Sequence, residues 1–87
     1  MIEVKKNSDE EYSVIIRDKV SRTQHAVTLD NNYYIKLTQG KITKEQLIEK
    51  SFEFLLKRES KESILSKFHL KIISRYFPEY EKILQKF

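Results

Sequence analysis

The stretch HAVTLDNNYYIKLTQGKITKEQL, residues 25–47, contains the point at which the chain changes its period. Up to Leu29 the pattern alternates. His25, Val27 and Leu29 fall on one side and Gln24, Ala26 and Thr28 on the other, as in a strand with one covered face. From Asp30 the spacing becomes helical. Asp30 or Asn31 can cap a short helix running through Tyr33, Tyr34 and Leu37, and Gly40 is placed to end it, because glycine alone takes the left-handed conformation without steric cost. Thr43 and Gln46 then form a T-x-x-Q capping box, with Ile42 before the cap and Leu47 within the helix as a hydrophobic staple. A second helix therefore starts at Thr43. Leu47, Ser51, Phe54 and Leu55 lie along one of its faces, and Glu45, Glu49, Glu53 and Lys57 follow the polar side, so it should stop near Arg58.

Working outward toward the N-terminus, Ile2 and Val4 alternate with Glu3 and Lys5, and Tyr12, Val14 and Ile16 alternate with Ser13, Ile15 and Arg17. Residues 7–10 and 18–22 are short polar connections of the kind antiparallel hairpins use, although neither contains the Asn-Gly or Asp-Gly pair that would fix a tight turn. Toward the C-terminus, Ser60 is a candidate cap for a helix bearing Ile64, Leu65 and Phe68, after which the chain passes His69 into Leu70, Ile72, Ile73, Tyr76 and Phe77. Pro78, followed by Glu79 and Glu81, suits the first turn of a terminal helix reaching about Lys86. The expectation is an α+β domain: a three-stranded antiparallel N-terminal meander in residues 1–29, then about four short helices in residues 30–87, all in a single domain 1–87.

The composition excludes more than it names. Of the 87 residues, 39% are hydrophobic, which suffices for one small core and not for two. With no Cys, disulfide scaffolds, thiolate metal sites and cysteine nucleophiles are all excluded. A single Gly cannot supply the glycine-rich loops that cradle phosphates or dinucleotides. The two histidines, His25 and His69, have no neighbouring ligand at metal-binding spacing, and none of the eight serines lies in a Gly-x-Ser-x-Gly elbow. Glu45, Glu49 and Glu53 form a solvated stripe rather than a catalytic pair, since acid–base work needs carboxyls in a cleft. No catalytic residue, cofactor or metal is therefore expected. No apolar run approaches a membrane span and the N-terminus lacks a hydrophobic signal core, so the expected location is the cytoplasm.

The net charge is +4, and residues 61–87 contribute six basic groups against three acidic ones. A pI near 9.3 points toward polyanionic or acidic partners without reaching the density of a dedicated nucleic-acid binder. Seven of the ten aromatics, Phe52, Phe54, Phe68, Tyr76, Phe77, Tyr80 and Phe87, lie in the last 36 residues. Lys71, Arg75, Tyr76 and Tyr80 are the candidate partner-binding residues, because Tyr and Arg are enriched at the centres of protein interfaces. The resulting expectation is a non-enzymatic adaptor, monomer or homodimer, whose aromatic and basic helical surface meets an acidic protein.

Two resemblances add to this. SFEFLLKRESKESIL (51–65) followed by ISRYFPEY (73–80) resembles small bacterial proteins of about this length, which implies a bacterial cytosolic protein and assigns no activity. Residues 27–37 followed by 40–48 and Ser51 are similar to a ribbon-helix-helix DNA-binding domain. That likeness implies an intertwined dimer whose paired strands enter the major groove, with Gln24, Ala26 and Thr28 reading bases and the amides at the start of the Thr43 helix holding a phosphate. Strand pairing separates the two readings. An adaptor can pair all its strands within one chain, whereas the DNA-binding dimer needs the Val27 strand free for its partner subunit.

Overall fold

A computed structural model describes residues 1–86; Phe87, counted among the C-terminal aromatics, lies outside the described residues. The alternating N-terminal segments form three strands, β1 (Ile2–Lys6), β2 (Glu11–Arg17) and β3 (Arg22–Thr28), joined as an antiparallel meander. Register follows the apolar alternation: Val4 stands opposite Val14, and Val14 opposite His25, so every covered residue falls on the same face. Turn chemistry supplies what the missing Asn-Gly pairs do not. Asp18 Oδ1 accepts from the backbone N–H groups of Val20 and Ser21, both at 2.8 Å, which closes the β2–β3 connection as an Asx turn.

Asp30 then caps α1 (Asn31–Thr38), its carboxylate accepting from Tyr33 N–H at 2.6 Å. Two successive left-handed residues end the helix, Gln39 at φ 54° and Gly40 at φ 75°. The helix α2 (Lys44–Leu56) starts with the full capping box: Gln46 N–H donates to Thr43 Oγ1 at 3.0 Å and Thr43 N–H to Gln46 Oε1 at 2.8 Å. Its Leu47, Ile48, Ser51, Phe52, Phe54 and Leu55 are buried, with Phe52 against His25 of the sheet and Ser51 and Phe54 against Tyr80.

Beyond α2 the chain departs from the expected helix at Ser60. It makes a short 3-10 turn, Lys61–Ser63, then runs extended into a fourth strand, β4 (Lys67–His69). This strand pairs in parallel with β3, Val27 opposite Phe68, so the sheet is four-stranded and mixed, in the order β1-β2-β3-β4. The physical reason is twofold. Ser60 flanks the turn but makes no side-chain cap bond, and the free edge of β3 offers backbone partners that a helix would leave unused. A second 3-10 turn, Leu70–Ile72, leads directly into α3 (Ile73–Tyr76), and the terminal helix α4 spans only Tyr80–Leu84, with Pro78 and Glu79 in the turn before it.

The first 3-10 turn is tied to the meander by charge. Lys61, whose side chain is 9% exposed, places Nζ 2.5 Å from Asp18 and 2.8 Å from Glu62. The hydrogen bond from Lys61, followed by those from Ser21 and Val20, holds the Asp18 carboxyl well below the usual carboxylate range. One aspartate thus closes the β2–β3 turn and anchors a segment more than forty residues further along the chain.

The end of α1 yields a test. At Gly40 the open surroundings leave only the backbone conformation as the constraint. Gly40→Ala should lower stability by about 1 kcal/mol in urea unfolding, and Gln39→Gly should raise it by a comparable fraction, because only glycine takes positive φ without strain.

Candidate functional site

Where β4 joins the sheet, two backbone contacts fix the path of the chain. Ala26 N–H donates to the Ser66 carbonyl at 2.8 Å, and the buried His25 imidazole places Nδ1 2.8 Å from the Leu65 carbonyl. A carbonyl only accepts, so Nδ1–H donates to it, while Nε2 lies 2.9 Å from the Thr23 hydroxyl. With its backbone held inward, Leu65 keeps its side chain outside, 48% exposed.

Across from Leu65, the second 3-10 turn and α3 are set by another histidine. His69 Nδ1 accepts from Lys71 N–H at 3.0 Å, and its Nε2 faces Asp30 Oδ2 at 3.3 Å. The Tyr33 N–H, and then His69, hold the Asp30 carboxyl below its ordinary range. Asp30 therefore caps α1 and steadies the start of the C-terminal helical segment together.

Between these two fixed segments lies an apolar groove of about 240 Å³. The buried Leu55, Ile64 and Ile73 line it together with the more exposed Leu65, Phe68, Ile72, Tyr76 and Phe77, and Glu59 and Ser63 add its polar atoms. Tyr76 stands 66% exposed beside it, and no other tyrosine is among the exposed large apolar side chains. Lys71 and Arg75 are exposed neighbours of the lining residues, and neither makes an ion pair among the described residues.

Of the four residues expected at a partner surface, Lys71, Arg75 and Tyr76 are exposed and Tyr80 is not. Tyr80 is fully buried, its ring edge-on to Phe54 at 5.3 Å and its hydroxyl 2.7 Å from Ser51 Oγ, which also donates to the Leu47 carbonyl. The correction has a plain cause: Tyr80 is the first residue of α4 and turns toward α2, where Ser51 answers its hydroxyl. Burial drives the Tyr80 phenol far above its usual range, and burial with the Glu81 hydrogen bond does the same for Tyr33.

The expected DNA-reading residues are not brought together. Gln24, Ala26 and Thr28 lie on the uncovered face of the sheet, whereas Thr43 caps a helix packed on the covered face. The strand required to pair between subunits is already bonded within the chain, to β2 along its length and to β4 at Ala26, Val27 and Thr28. Two of the amides expected to hold a phosphate, those of Thr43 and Gln46, already donate within the capping box.

Compared with family profiles, with curated proteins and with solved structures, the chain matches none.

The residues missed from the sequence are the groove's own walls, Leu65, Ile72 and Phe77, and the histidine that sets its edge. Three serines at positions 60, 63 and 66 were the available signal, since serine in a helix interior competes for backbone hydrogen bonds. No group of His, Asp or Glu among the described residues is arranged to hold a metal ion.

Two outcomes follow from burial at the two tyrosines. Tyr80→Ala should cost about 3–5 kcal/mol, as for other large aromatic truncations in a core, while Tyr76→Ala should change unfolding by less than about 1 kcal/mol. The alkaline limb gives an independent check. A phenol whose folded pKa is raised contributes stability that is full below the unfolded value near 10.0 and declines above it, because the unfolded chain releases a proton that the native state keeps. Urea unfolding above pH 10 should therefore lose about 1.4 kcal/mol per pH unit for each such tyrosine, and Tyr80→Phe should remove one tyrosine's share of that slope.

Proposed function

We propose that the protein is a non-enzymatic binding module that docks an acidic partner polypeptide by an apolar anchor side chain. The anchor enters the groove between Leu65 and Tyr76, and Lys71 and Arg75 meet the acidic residues beside it. The observation that carries this reading is the groove itself: a hydrophobic concavity on a small domain, walled by a half-exposed leucine and a largely exposed tyrosine. Both side chains remain in water at a cost that a partner's apolar surface would offset. Interfaces of this kind draw their affinity from a few aromatic or aliphatic anchors, while rim cations act mainly on encounter rate and selectivity. The groove's polar lining is limited to Ser63, Glu59 and the Tyr76 hydroxyl, with no histidine and no second carboxylate to activate the serine, so its lining favours recognition over chemistry.

A tagged wild-type protein, Tyr76→Ala and Leu65→Glu are to be compared in pull-downs from source cells, each with and without nuclease. The expected result is one protein retained at equal yield after nuclease and depleted about tenfold by either variant, with melting temperatures within a few degrees of wild type. Raising salt from low to physiological concentration should slow association of that partner more than it speeds dissociation. Capture that disappears with nuclease, or that both variants retain, overturns the reading.

A further inference from the structure

The opposite edge of the sheet carries a second surface, independent of the groove. β1 is the outer strand, and its backbone polarity can be read from its ends. Met1 and Arg17 exchange two hydrogen bonds of 2.9 Å, and Asn7 N–H donates to the Glu11 carbonyl at 2.8 Å. Hydrogen-bonded and non-bonded pairs alternate along an antiparallel ladder, so Glu3 opposite Ile15 and Lys5 opposite Ser13 are the bonded pairs between these limits. Ile2, Val4 and Lys6 consequently turn their N–H and C=O groups away from β2, toward the open edge. No proline, bulge or break in register blunts this edge.

We infer that β1 pairs with β1 of a second copy, antiparallel about a two-fold axis at Val4, to give a continuous eight-stranded sheet. In this register Val4 bonds Val4 of the second copy, and Ile2 bonds Lys6, in both directions, so each outward donor and acceptor finds a partner. Glu3 then stands opposite Lys5 of the second copy, twice by symmetry, on the uncovered face. These are non-hydrogen-bonded positions, where side chains approach most closely. Charge selects this register among those that satisfy the backbone. Sliding the strands by two residues one way sets Glu3 against Glu3, and the other way sets Lys5 against Lys5. Lys5 has no ion-pair partner among the described residues, and Glu3, held 3.2 Å from Arg17, keeps a carboxylate oxygen for a second cation. On the covered face the half-buried Ile2 and Val4, which pack against the core, would lose their remaining contact with water.

The interface is one strand wide, so association belongs to the weak, concentration-dependent class. Sedimentation equilibrium of the wild-type chain from about 10 µM to about 1 mM is expected to show a monomer passing to a dimer and no larger species. Glu3→Lys and Lys5→Glu should each raise the dissociation constant at least about tenfold, since each puts like charges opposite one another twice. An equimolar mixture of the two variants should dimerise again as a heterodimer, because one chain then carries lysine at both positions and the other glutamate at both, so every facing pair is of opposite sign. The double exchange in one chain should restore the homodimer. A wild-type chain still monomeric at about 1 mM, or single variants that dimerise as wild type does, overturns the proposal. Tyr76→Ala serves as the control that separates the two surfaces, because it alters the groove and should leave the mass unchanged.

Discussion

The buried imidazole of His25 binds two parts of the chain that have little else in common. Its Nδ1–H reaches the Leu65 carbonyl across forty positions of sequence, and its Nε2 is answered by Thr23 two residues away on the same strand. A buried ring nitrogen without a partner would cost about 1–3 kcal/mol, so the segment before β4 is held wherever it can supply that acceptor. Next to this contact, Ala26 N–H takes the Ser66 carbonyl and the parallel pairing begins. The groove, the exposure of Leu65 and the position of Phe68 all follow from that one docking event.

Charge supports the same junction from the other side. Lys61 closes against Asp18 and Glu62, and Ser21 reaches Glu62 at 3.3 Å, so the β2–β3 turn and the first 3-10 turn form one polar cluster at the sheet's end. Asp30 performs a parallel service at the other end of β3, joining the start of α1 to His69. Each aspartate satisfies local backbone donors first and then uses its second oxygen for a distant cation or imidazole. The short C-terminal helices, too small to be stable alone, are positioned by these contacts and by Tyr80 against Ser51.

Local chemistry was legible in the sequence, and long-range pairing was not. The Thr43–Gln46 box, the Asp30 cap and the alternating strands rest on neighbours within four residues, and the structure contains all of them. β4 consists of Lys67, Phe68 and His69, three residues with no alternation to display, and its existence depends on an edge forty positions upstream. The helix expected after Ser60 failed for the same reason: its apolar residues fit a helical face, but tertiary backbone partners outweighed that spacing. Tyr80 shows a related limit. Its aromatic neighbours suggested a surface, and only the placement of Ser51 on α2 reveals the buried site that accepts its hydroxyl. Tyr76, four residues earlier on a different short helix, faces the other way.

The parallel placement of β4 also bears on the order in which the molecule assembles. The meander's hairpins close short loops and can form within microseconds, whereas β4 must wait until α1 and α2 have brought the chain back across the sheet. Until then β3 has an unsatisfied edge, and the chain is vulnerable to pairing with the wrong strand. The groove comes into being only with this last closure. Any partner that occupies it would bind completed molecules alone, adding its free energy to the final step of folding and draining the population that has stalled before it.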